Sequence, residues 1–123
     1  MSPPARLIAI LDDEPDFRRA MTRLLKSYGY DSIPFANGHA LLGAVAGYRF
    51  DCILLDLSMP GLTGFDVLTA LRARPHAPPV IVVTGKDDAD STRRALELEA
   101  FDCQRKPVRG PELVKSFERA CAP

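Results

Sequence analysis

Four short apolar runs rich in β-branched residues alternate with amphipathic stretches along this chain. That alternation is the pattern of a parallel sheet covered by helices on both faces. The order reads βαβαβαβαβα. A first strand is predicted over Leu7 to Leu11, and Pro15 suits the first turn of the following helix, where its missing N–H would have no partner anyway. Phe17, Met21, Leu24, Leu25 and Tyr28 recur at steps of three and four residues and form one apolar stripe, which Gly29 closes. Tyr30 to Phe35 reads as a weaker second strand, and Asn37 as the cap of a short helix to about Ala46.

Cys52 to Leu55 is an unbroken apolar strand that ends at Asp56. After the turn Met59-Pro60-Gly61, Thr63 and Asp66 have the spacing of a capping box for a helix with Phe65, Leu68 and Leu71 inward. The Pro75 to Pro79 segment stops it. Val80 to Val83 is the clearest strand; the helix from about Asp88 to Leu98 has a thin apolar stripe, and the strand from about Phe101 to Gln104 is weak. Pro111 opens a last helix with Leu113, Val114, Phe117 and Cys121 on its apolar face.

With 123 residues, 46% of them hydrophobic, residues 1–123 suit one domain with one real core. Sixteen basic and sixteen acidic side chains cancel, so no global field draws nucleic acid or an anionic membrane, and partners must be recognised locally. The five-residue apolar run near the start is too short for a signal peptide or a membrane span, and a cytoplasmic location is expected. Cys52, Cys103 and Cys121 are odd in number and lack Cys-x-x-Cys spacing, which favours buried, reduced thiols.

In an open parallel α/β sheet, functional groups gather beyond the carboxyl ends of the strands. Here the residues at those ends are Asp12 and Asp13, then Asp56, Thr84 and Lys106-Pro107. Three carboxylates brought together either keep a proton or hold a cation, and at neutral pH the cation is the expected answer. Hard oxygen donors without Cys or nearby His favour Mg²⁺, which commonly takes carboxylates together with phosphate oxygens. Lys106 and Thr84 supply the positive charge and hydroxyl donor that a bound phosphoryl group still needs. Asp56 sits where a carboxylate nucleophile would, and phosphoryl transfer asks mainly for alignment and neutralisation, to which the Gly85 backbone N–H also contributes.

Asp12-Asp13, the string from Asp56 through Met59-Pro60 to Gly64, Thr84-Gly85 and Lys106-Pro107 together resemble the signature of response-regulator receiver domains over nearly the whole chain. The resemblance implies a (βα)5 flavodoxin-like, doubly wound sheet of order 2-1-3-4-5. It implies that Asp56 is phosphorylated, that Asp13 and Asp56 ligate Mg²⁺ directly, that Asp12 does so through water, that the Ser58 carbonyl is a further ligand, and that Lys106-Pro107 is cis. The implied function is a phosphorylation-dependent switch that takes its phosphoryl group from a histidine kinase or phosphotransfer protein. The resemblance implies no enzyme activity toward an outside substrate, only catalysis of the domain's own phosphorylation and dephosphorylation. Its output would be a protein contact through the face formed by helix 4, strand 5 and helix 5, without nucleic acid or membrane binding; dimerisation is left open.

Departures from the family pattern fall on that output side. Cys103 stands where an aromatic usually moves in concert with Thr84, Glu99 where Gly is common, and Gln104 where an apolar residue is common. Ser58 and Lys86 resemble the variable pair that tunes water access to the acyl phosphate. Asp12 could instead simply cap the first helix, Gly61 and Gly64 read as turn glycines, and Cys103 as a packing residue. Three other functions remain on the sequence alone: a pseudo-receiver that is never phosphorylated, a phosphatase with an Asp nucleophile, and a receiver cut from a longer protein.

Overall fold

The strands are β1 (Leu7–Leu11), β2 (Asp31–Phe35), β3 (Cys52–Asp56), β4 (Val80–Thr84) and β5 (Asp102–Arg105). The helices are α1 (Pro15–Ser27), α2 (Gly38–Val45), α3 (Gly64–Arg72), α4 (Ala89–Glu97) and α5 (Gly110–Ala120). A computed structural model describes residues 5–57, 64–85 and 88–122. Every strand pairing is parallel and the sheet order is β2-β1-β3-β4-β5, the doubly wound arrangement expected.

β3 and β4 are buried along their whole length, as central strands of a sheet covered on both faces must be. Alternate strand side chains feed two cores. Ala9, Leu11, Ile53, Leu55, Val80 and Val82 pack with Leu41, Val67, Leu68, Leu71 and Ala95 of α2, α3 and α4. Ile8, Ile10, Leu54, Ile81 and Val83 pack with Met21 and Leu25 of α1 and with Leu113 and Phe117 of α5. No helix among the described residues is long and apolar enough to cross a membrane.

β2 and β5 border the sheet, which explains their weak sequence signals: a border strand has one neighbour and less apolar surface to hide. Pro34, exposed on β2, is tolerated because a border strand need not donate from every N–H. β5 begins one residue later than expected, at Asp102, and Phe101 is left 45% exposed. Its polar composition has a local reason. Gln104 Nε2 donates to Ser116 Oγ at 3.0 Å, Ser116 Oγ also bonds Asp102, and Arg119 Nη2 donates to the same Asp102 carboxylate at 2.9 Å. β5 is thereby fastened to α5 by hydrogen bonds where an apolar strand would use packing.

Several inward assignments shift by a position. Phe65 is only half-buried, with the Arg94 guanidinium 4.2 Å from its ring centroid, and Val67 takes the core position instead. On α5 the buried residues are Leu113, Ser116 and Phe117, while Val114 and Cys121 are half-buried. All three cysteines are free, but only Cys52 is fully buried. Thr63 and the Met59-Pro60-Gly61 turn lie outside the described residues.

Glu99, just past the end of α4, has φ +67°, the left-handed region that costs a residue with a Cβ about 1 kcal/mol or more. Its carboxylate lies 3.5 Å from Arg72 Nε in an exposed pair, which returns a few tenths. Glu99→Gly is therefore expected to stabilise the fold by about 0.5 kcal/mol, read as a higher urea midpoint with an unchanged slope. A lower midpoint would show that the ion pair outweighs the strain.

Candidate functional site

Backbone bonds carry the sheet ladder past the last apolar residue of each strand and so fix the groups at its end. Asp12 N–H donates to Phe35 O at 3.2 Å, Leu57 N–H to Val83 O at 3.2 Å, and Lys106 N–H to Thr84 O at 2.9 Å. Asp56 and Thr84 themselves are the last residues of β3 and β4, each one residue beyond the strand ends read from sequence. Parallel pairing throughout the sheet places these ends on one rim.

There, Asp12, Asp13 and Asp56 each offer a carboxylate oxygen, and the three oxygens lie within 4.8 Å of one another. Asp12 is fully buried, Asp56 is 4% exposed and Asp13 is exposed. Asp12 Oδ1 accepts the Glu14 N–H at 2.8 Å, so the residue does help turn the chain into α1, although the N-cap position itself is Glu14. Its second oxygen, Oδ2, is buried with no hydrogen-bond donor among the described residues. A buried carboxylate oxygen in that condition is costly unless a cation completes it.

Lys106 Nζ lies 3.7 Å from Asp12 Oδ2 and 3.9 Å from Asp56 Oδ2, and 4.7 Å from the ring centroid of Phe17. One ammonium thus faces two buried carboxylates, and Asp13 adds a third negative charge. Among the described residues the balance is negative before any ligand arrives. At about 4 Å and an effective dielectric near 20, each such pair is worth roughly 4 kcal/mol of Coulomb energy, so the excess is not small. Hard oxygens only, one orphaned buried oxygen and a net negative cluster fit a small divalent cation.

Thr84 is fully buried, its Oγ1 3.8 Å from Cys103 Sγ. Gly85, next along, is exposed. The Lys106-Pro107 bond is cis. Ser58 and Lys86 lie outside the described residues. Three contributors went unread in the sequence: Phe17 under the lysine, Arg18, whose Nη1 donates to Asp12 O at 2.8 Å, and Thr92, whose Oγ1 accepts from Cys103 at 3.5 Å. Phe17 was visible only as a member of an apolar stripe; Arg18 and Thr92 carry no local signal.

A parallel sheet of this order with an acidic cluster, a hydroxyl and a lysine on its carboxyl rim defines a receiver-type module. The family model described as response regulator receiver domain matches residues 8–118, and the chain belongs to that family. It is 32% identical over 113 residues to the transcriptional regulatory protein FixJ of Bradyrhizobium diazoefficiens, covering 92% of this chain and 55% of that one. To the DNA-binding response regulator MtrA of Mycolicibacterium smegmatis it is 36% identical over 107 residues, covering 87% and 46%. The crystal structure of full-length FixJ from B. japonicum superposes with a TM-score of 0.87 at 31% identity, over 94% of this chain and 57% of that one. The chain spans about half the length of these relatives.

Proposed function

We propose that residues 1–123 act as one receiver unit that accepts a phosphoryl group on Asp56 and changes its protein contacts when it does so. The observation that carries this reading is a nearly buried carboxylate at a strand end, 3.9 Å from a lysine ammonium and within 4.8 Å of two further carboxylates. Family membership gives the donor class, a phosphohistidine on a histidine kinase or phosphotransfer protein.

An Asp56 oxygen attacks phosphorus, the P–N bond of the donor breaks, the imidazole leaves with the electron pair, and an acyl phosphate forms. Asp12, Asp13 and Asp56 would hold Mg²⁺, with the Ser58 carbonyl as a further ligand; when bound it supplies neutralisation of the phosphoryl oxygens. Lys106 adds a fixed positive charge. The Thr84 hydroxyl and the Gly85 N–H donate hydrogen bonds to the new anion. The chain needs no general base, since the nucleophile is already a carboxylate, and it turns over no outside substrate.

Incubation with acetyl phosphate and Mg²⁺, followed by intact-mass and peptide mapping, tests the proposal. A single phosphoryl group on the peptide containing Asp56, absent when the divalent ion is chelated, is expected. No adduct on a folded protein would favour a pseudo-receiver, and steady hydrolysis of an unrelated phosphate ester would favour a phosphatase. Either result overturns the proposal.

Lys106 gives a sharper signature because it competes with a divalent cation for the same carboxylates. Lys106→Ala is expected to slow adduct formation by about tenfold to a hundredfold, through loss of a charge aimed at the phosphoryl oxygens. It should at the same time tighten Mg²⁺ binding, measured by calorimetry. Equal weakening of both would mean that the lysine only supports the local fold.

A further inference from the structure

The Thr84 hydroxyl is already engaged. Its Oγ1 lies 3.8 Å from Cys103 Sγ on the adjacent strand. The Cys103 thiol donates to Thr92 Oγ1 at 3.5 Å, and Thr92 Oγ1 donates to Asp88 O at 3.1 Å. Each of these groups has one proton to give. The Thr92 proton is spent on Asp88 and the Cys103 proton on Thr92, so the Thr84 hydroxyl is the donor in its contact with sulfur. The result is a chain of aligned donors running Thr84 to Cys103 to Thr92 to Asp88.

The far end of this chain is the start of α4. Asp88 is the N-cap of that helix: its Oδ1 accepts the Ser91 N–H at 3.0 Å, and its own N–H donates to Gly85 O at 3.3 Å. Gly85 follows Thr84 directly. The side-chain chain and the backbone thus meet at Asp88, and both start at the end of β4.

We propose that Cys103 and Thr92 are positioning residues for the Thr84 hydroxyl, linking it through a hydroxyl–thiol–hydroxyl relay to the first turn of α4. The proposal rests on Asp56 as the phosphoryl acceptor. Thr84 has a single proton, so it serves either the sulfur or a phosphoryl oxygen. Thiol sulfur is a weak acceptor, whereas a hydrogen bond to an anionic oxygen is roughly twice as strong as a neutral one. A phosphoryl group on Asp56 therefore takes the proton, and Cys103 loses its donor. What signals departure of Thr84 in this chain is a thiol released from a hydrogen bond, with no aromatic ring to rotate, and α4 receives the change through Thr92.

The relay can be read at the sulfur. The protein is treated with iodoacetamide, with and without prior reaction with acetyl phosphate and Mg²⁺, and alkylation is followed peptide by peptide. Cys52 is buried and Cys121 has its thiol pushed up by burial, so the latter serves as an internal reference on its own peptide. Alkylation proceeds through the thiolate, which a hydrogen bond donated to sulfur stabilises, so phosphorylation is expected to lower the Cys103 rate by about threefold or more and to leave Cys121 unchanged. Thr84→Val should lower the Cys103 rate with no phosphodonor present, whereas Thr92→Val, which removes the acceptor of the thiol proton, should raise it. An adduct on Asp56 with an unchanged Cys103 rate overturns the relay and leaves the phosphoryl acceptor standing. Absence of the adduct overturns the phosphoryl acceptor, and the Thr84→Val arm then decides the Thr84–Cys103 contact alone: no change there ends the relay too.

Discussion

Asp56→Asn is expected to erase the phosphoryl adduct altogether while leaving the protein folded and, in Mg²⁺-free buffer, about 1 kcal/mol more stable. Both halves follow from the same geometry. The amide has no anionic oxygen with which to attack phosphorus, and no other carboxylate in the cluster combines burial at a strand end with the Lys106 contact and the Thr84 neighbour strand in the same way. Removing one of three carboxylates held within 4.8 Å of one another relieves like-charge repulsion, and the new side-chain amide brings a donor into the surroundings of the orphaned Asp12 Oδ2. The check is intact mass after acetyl phosphate, together with urea melts with and without Mg²⁺. Wild type should gain more stability from the ion than Asp56→Asn does, by the ordinary linkage between binding and folding. A persistent adduct in the variant would place the chemistry elsewhere.

Gly64→Ala is expected to cost about 3 kcal/mol or more, at the upper end of what overpacking usually costs. A Cβ at this position would lie 2.4 Å from Leu57 Cα and 2.5 Å from Asp56 O. Both are backbone atoms, fixed by the β3 ladder and by the bond from Leu57 N–H to Val83 O. Neither can rotate away as a side chain would. Relief requires α3 to lift from the sheet, and the carbonyl it presses on belongs to the proposed phosphoryl acceptor. Urea denaturation followed by circular dichroism measures the loss, and the adduct yield on the residual folded protein should fall with it. A shift below about 1 kcal/mol would mean that α3 accommodates the methyl by sliding.

Much of the site was legible because the central strands are apolar without interruption, so a polar residue at their end stands out. Asp12, Asp56 and Thr84 announce themselves in this way, and parallel crossovers oblige them to share a rim. Strand ends were misplaced by one residue for a related reason: Asp56 and Thr84 still pair in the ladder, with Val83 and Arg105, although their side chains are polar. The border strand β5 was weakly legible because Gln104 and Asp102 are satisfied by Ser116 and Arg119, which lie more than ten residues away in the chain. α4 buries only Ala95, and no periodicity argument survives so thin a stripe. Gly64 reads as a turn glycine in the sequence, since a missing side chain does not say whether it serves the backbone's freedom or a neighbour's closeness. Thr92 was silent because its role exists only once β4, β5 and α4 are assembled.

The two borders of the sheet are guarded by different means. On β2, Pro34 removes a donor from the open ladder; on β5, a strand of only four residues turns Asp102 and Gln104 toward α5. Neither offers another polypeptide a long, flat, apolar strand to extend. Copies of this protein that collide when crowded are therefore expected to part again rather than grow into fibrils, so that a molecule made to be met repeatedly by others stays available for the next encounter.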